Sequence, residues 1–224
     1  MRTCKPLLLR CCFACGVVAA WAVLTMPAGH THGQIAATEF KEMTRQYSAG
    51  PLKADDFQAA LPDPLPARDG ITMVAFTAAT TRYKFRYECR PSGKRFIAHA
   101  TEVKLDCVLD QDKSWLARPA DADLLRHEQG HFDIAEWNTR LTQRHFDKLM
   151  QQGKPRAAAR TEAAAIASLK EMIKEEFERL RADGLAEQAR YDKETRFGLD
   201  PTAQHQWERM LEEKLSFIEP SGPP

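Results

Sequence analysis

"RYKFRYECRPSGKRFIAHATEVKLDCVL", residues 82–109, decides the fold. Tyr83, Phe85, Tyr87 and Cys89 alternate with polar residues, and Val103, Leu105, Cys107 and Leu109 do the same. An apolar residue at every second position is the pattern of a half-buried strand. Between the two runs, "RPSGK" at 90–94 is a turn signal. With "ITMVAF" at 71–76 ahead of them, Ile71–Leu109 reads as a small antiparallel sheet.

Downstream the period changes from two to that of a helix. One helix starts near Asp121 or Asp123, either of which can cap it. It carries "LLRHEQGHFDIAEW" (124–137), runs to about Met150, and ends at "QQGKP". A second runs from about Ala157 to Arg190, with Ile166, Leu169, Ile173, Phe177 and Leu180 on one face. A third begins at "LDPTAQ", with Asp200 as cap, Pro201 in the first turn and a stripe of Trp207, Met210, Leu211 and Leu215. Strands followed by helices make the class α+β: a small antiparallel sheet, then an active-site helix and C-terminal helices.

Upstream, residues 29–50 read as an N-terminal arm with a short helix around "ATEFKEMTRQY". The proline-rich stretch 50–70 is extended or looped. The chain of 224 residues suits one domain, placed at 51–218, with 219–224 a disordered tail. A net charge of +1 gives no basic excess, so nucleic acid is not an expected partner.

Residues 1–28 have the layout of a secretory signal peptide: Arg2, Lys5 and Arg10, an apolar run from Cys11 to Met26, then Pro27 and Ala28. The run is short for a span of about 20 residues, although the layout also fits an uncleaved anchor. Cleavage implies a periplasmic or secreted protein with no membrane span, and takes the charge from +1 to −2 by removing three cations. Four of six cysteines leave with it. The remaining pair, Cys89 and Cys107, is expected to form a disulfide in an oxidising compartment.

The chemistry lies in "HEQGH". On a helix, His127 and His131 stand about 40° apart and one turn along, so both imidazoles reach one ion. Glu128, a step round, reaches a water rather than the ion. Two histidine ligands with a glutamate as general base is the metallopeptidase arrangement, with zinc as the cofactor. A third ligand must come from elsewhere. Asp133 and Glu136 point away, and His145 lies too far along the helix. The best segment is "RYDKETRFG" (190–198), which a helix running back along the first would bring to the ion. It offers Asp192 or Glu194 as ligand, and Tyr191 or Thr195 to stabilise an oxyanion. His205, His99, His30 and His32 are weaker candidates.

"SWLARP" with "LLRHEQGHFDIAE", and "RYDKETRFG" with "QHQWERML", resemble the central and C-terminal blocks of a bacterial family of secreted zinc-dependent proteases, domain of unknown function 922. "ADDFQAALPDP" resembles its N-terminal block more loosely. The resemblance covers about residues 50–215 and implies a zincin-like domain that hydrolyses peptide bonds in a peptide, protein or cell-wall peptide. That family's protease label rests on the same helix motif. Its usual pattern has a histidine where this chain has Phe197; if that histidine is the family's third ligand, either Asp192 serves in its place here or this chain binds zinc poorly and is inactive. The alternative expectation is a non-catalytic envelope protein that keeps the scaffold as a binding or structural module.

Overall fold

The computed structural model describes residues 31–36, 43–117 and 121–218, so the signal segment and the C-terminal tail lie outside the described residues. The element order is β1 (Thr31–Ala36), β2 (Thr44–Gln46), β3 (Ala67–Arg68), β4 (Ile71–Thr72), β5 (Ala75–Phe76), β6 (Ala79–Ser92), β7 (Arg95–Asp110), β8 (Trp115–Leu116), α1 (Ala122–Gln151), β9 (Arg156–Ala159), α2 (Glu162–Thr195) and α3 (Pro201–Phe217). The α+β order of strands and then helices is present, with one late strand.

The β6–β7 hairpin is the spine. Ser92 pairs with Arg95 across a two-residue turn, and Gly93 takes φ 62° at its first position. That position of a hairpin turn needs positive φ, which glycine adopts without strain. Alternation carries Tyr83, Phe85 and Cys89 of β6 inward against Leu105, Val103 and Ala98. The register slips once. Arg86 faces Glu102 and Tyr87 faces Ala100, so Thr101 is an extra residue in β7. This bulge is why the buried positions of β7 run 98 and 100, then 103, 105 and 107.

β1 pairs with the outer edge of β6, while β2 and β9 pair with opposite ends of β7. Between those two short strands, α1 covers the open edge. The Gln143 amide takes the place of a strand peptide there, accepting from Leu105 N (2.9 Å) and donating to Val103 O (2.8 Å).

Two expectations are corrected here. Thr44–Gln46, in the stretch read as a short helix, pairs as β2, and residues 37–42 lie outside the described residues. Ala157–Ala159, read as the start of the second helix, form β9. Thr161 caps α2, which runs on to Thr195. A run of alanines favours helix locally. Here Ala157 is buried beside Ala98 in the core, and the edge of β7 takes the segment as a strand.

The other caps agree with the sequence. Asp121 accepts from Leu124 N at 2.7 Å, and Asp200 accepts from Thr202 N and Ala203 N, both at 3.0 Å. α1 is the element on which the rest converge. Its C-terminal half (Phe146) joins β6, β7, β9 and Leu169, Ile173 and Phe177 of α2 in one core. Phe132 packs with Leu109, Cys107 and Phe57 in a second, and Ile134 packs with Tyr191, Trp207 and Leu211 in a third. α2 returns antiparallel along α1. Arg140 of α1 donates to Leu215 O and Ile218 O, both at 2.7 Å, and fixes the end of α3.

The expected disulfide is absent. Cys89 and Cys107 are free, buried thiols at opposite ends of the hairpin. Cys107 faces Thr81, eight residues from Cys89 along β6, which is about 26 Å. A bridge needs Cα atoms within about 7 Å.

Candidate metal centre

α1 presents His127 and His131 on the face that α2 covers, and α2 brings Asp192 onto them. His131 Nε2 lies 2.9 Å from Asp192 Oδ1, and His127 Nε2 lies 3.5 Å from the same oxygen. Donor atoms around a tetrahedral ion with bonds of 2.0–2.1 Å sit about 3.3 Å apart. The three donors all fall within 4.8 Å of one another, and His127 and Asp192 are buried. This group could hold a metal ion.

Local chemistry explains the close approach. A Cβ on Gly130 would lie 2.2 Å from the Tyr191 hydroxyl, so glycine in the middle of the motif is what admits Tyr191. Tyr191 stacks on His127 with ring centroids 4.8 Å apart and planes at 14°. Its neighbour Asp192 then reaches both imidazoles. Arg196, Phe197 and Gly198 follow with φ of 51°, 57° and 81°, which ends α2 and turns the chain over His127.

Burial alone would raise the Asp192 carboxyl, but hydrogen bonds and charge from His127 and His131 hold it well below the usual carboxylate range. Burial pulls His131 down. The hydrogen bond to Asp192 and the negative charges of Glu128 and Asp192 outweigh it and raise the imidazole.

Two glutamines that sequence reading passed over complete the surroundings. His131 Nδ1 lies 2.5 Å from Gln188 Oε1, and His127 Nδ1 lies 3.2 Å from Gln204 Oε1. Arg68, on the turn-rich segment before the hairpin, places Nη1 3.3 Å from Asp192 Oδ2. Thr77 Oγ1 donates to Glu128 Oε2 at 2.6 Å. No periodic signal in the sequence marks any of these.

The remaining candidates are engaged elsewhere. Glu194 accepts from Trp207 Nε1 at 2.9 Å, on the α3 side. Asp133 accepts from Tyr47, and Glu136 from Arg140. His145 pairs with Glu176, His32 and His99 lie against Glu88, and His205 lies against Pro201 O. His30 lies outside the described residues. Tyr191 and Thr195, the expected oxyanion donors, are fully buried and do not line the cavity described below: the Tyr191 hydroxyl has His127 O and Gln204 Oε1 as acceptors, both at 3.0 Å, and Thr195 donates to Tyr191 O.

His127, Glu128, His131 and Asp192 open onto a cavity of about 610 Å³. It follows α1 from Leu124 to Thr142, about 27 Å of helix axis, between residues 71–81 and the far half of α2. Its walls are mostly apolar, and Val74, Phe76, Leu185 and Leu199 are exposed along it.

Comparison with protein families, curated proteins and solved structures finds no match for this chain.

Proposed function

We propose that this protein is an exported zinc-dependent metallopeptidase with a zincin-like domain. The observation that carries the reading is the arrival of Asp192, from 61 residues beyond His131, with one oxygen within 3.5 Å of both imidazole Nε2 atoms. Two imidazoles and a carboxylate with Glu128 beside them is a donor set that zinc hydrolases use. When bound, the ion supplies Lewis acidity and a water that ionises near neutral pH.

The protein's own residues do the rest. His127, His131 and Asp192 hold the ion. Glu128 is buried, lines the same cavity and is oriented by Thr77, so it is placed to take a proton from an attacking water and return it to a leaving amine. The length of the cavity supports a chain-like substrate: about 27 Å matches roughly eight residues of extended peptide. A peptide, protein or cell-wall peptide is the substrate class, and the signal-like segment at 1–28 supports action in the periplasm or outside the cell.

Phe197, which lines the cavity, favours the second reading, a non-catalytic envelope module. Metal analysis and turnover separate them. Wild-type protein should bind one zinc, and His131→Ala and Asp192→Ala should lose it. Glu128→Gln should keep zinc and lose cleavage of a pool of quenched fluorogenic peptides. Equal zinc in wild type and His131→Ala defeats the metal reading. Zinc in wild type without cleavage of any peptide in the pool leaves the envelope module.

A further inference from the structure

The two glutamines do more than fill space. Each has its amide fixed by bonds on both sides. Gln188 Nε2 donates to His131 O at 2.8 Å while its Oε1 faces His131 Nδ1. Gln204 Nε2 donates to the Tyr191 hydroxyl at 2.8 Å and to Glu208 Oε1 at 3.1 Å while its Oε1 faces His127 Nδ1. Turning either amide over would aim an oxygen at a carbonyl or a carboxylate, which have no proton to give. The Tyr191 proton has two acceptors at 3.0 Å, His127 O and Gln204 Oε1, and with either choice Gln204 Oε1 remains an acceptor.

An acceptor facing each Nδ1 requires the proton there. In the doubly protonated rings Nε2–H donates to Asp192 Oδ1, whereas in the neutral rings the proton stays on Nδ1 and both Nε2 lone pairs face that oxygen. Three electron-rich atoms aimed at one point repel one another, and a cation between them turns that repulsion into attraction. We propose that Gln188 and Gln204 are positioning residues that set the Nδ1–H tautomer of His131 and His127, and so make the pair ready for a metal ion before one arrives. The inference rests on the metal-site reading above. It has a structural corollary. Gln188 is on α2 and Gln204 on α3, so the site becomes competent only when both helices are docked on α1.

The test uses the full mature chain and two variants of similar length and no polar side-chain hydrogen bond, Gln188→Met and Gln204→Met. Gln143→Met is the control: Gln143 also makes a two-sided amide contact, but to β7, away from the site. Nitrogen-15 NMR of metal-free protein, at a pH where imidazoles are neutral, reads each tautomer. Zinc affinity is read by competition with a chromophoric chelator. Wild type should show Nδ1–H on both rings. Gln188→Met should move His131 to Nε2–H, now donating to Asp192, and Gln204→Met should move His127. Each should weaken zinc about 10- to 100-fold. Gln143→Met should lower Tm and change neither readout. If Gln204→Met fails to fold, because it also releases Tyr191, the half-buried Gln188 decides alone. Nε2–H rings in wild type, or unchanged tautomers in the variants, overturn the inference whatever the zinc result. Nδ1–H rings in a wild type that takes up no zinc overturn the metal reading and leave the tautomer assignment standing.

Discussion

α2 is one helix with two kinds of face. In its first half the inward positions are Ala165, Leu169, Ile173 and Phe177, all buried in the core beneath the sheet. In its second half the same helical stripe passes through Gly184, Gln188, Tyr191, Asp192 and Thr195. The first half is held by apolar burial, which is roughly proportional to area and indifferent to direction. The second is held by hydrogen bonds with fixed partners, and it buries a carboxylate whose desolvation is unfavourable unless it is paired. Helix–helix packing alone would have continued the apolar stripe. The change of chemistry at Gly184, where Asn138 packs close enough to meet a Cβ at 3.1 Å, marks where α2 stops supporting the fold and starts supporting the site.

That division can be broken from either side. Ile173→Ala should cost about 2–5 kcal/mol, seen as a lower denaturant midpoint, with zinc affinity of the folded fraction unchanged. Loss of zinc at full occupancy of the native state would show that the two halves are not independent. Thr77→Val does the reverse. It leaves the core alone and removes the donor that orients Glu128. A hydrogen bond to a charged group contributes about 1.5–3 kcal/mol. Peptide turnover should therefore fall roughly ten- to hundredfold with zinc content intact. Gly130→Ala sits between the two. Its methyl would overlap the Tyr191 hydroxyl and push α2 off α1 at the site, costing about 1–3 kcal/mol. Stability and zinc affinity should fall together, and a change in stability alone would mean that Tyr191 does not position Asp192.

The two halves were also unequally legible. The apolar stripe of Ile166, Leu169, Ile173 and Phe177 has a local period and was readable, as was the spacing of His127 and His131. Asp192 was reachable by one step of topology, because a helix returning along α1 had to bring "RYDKETRFG" near the motif. Gln188 and Gln204 were not, since a glutamine on a helix carries no periodic mark and its value here lies in one distance to a ring nitrogen. Arg68 and Thr77 come from irregular segments, where sequence spacing says nothing about position in space. β9 was lost because a run of alanines carries a helical propensity that the open edge of β7 overrides.

The smallest expected effect tests the hairpin itself. Period two correctly put Cys89 and Cys107 on the inward face, but the turn at Ser92–Arg95 puts them at opposite ends of it, one in the core beneath α2 and the other beneath the N-terminal half of α1. Burial raises both thiols, and Glu162 adds to it at Cys89 and Glu136 at Cys107, so little thiolate is present to oxidise. Reductant should therefore leave Tm unchanged, and alkylation should label both cysteines only after unfolding. A bridge closing a loop of this length would contribute about 3 kcal/mol, so a Tm that drops by several degrees on reduction would contradict the register of β6 against β7. That register also places Thr77, through the start of β6, over Glu128. A reductant-sensitive Tm would thus undo the Thr77–Glu128 contact along with the sheet.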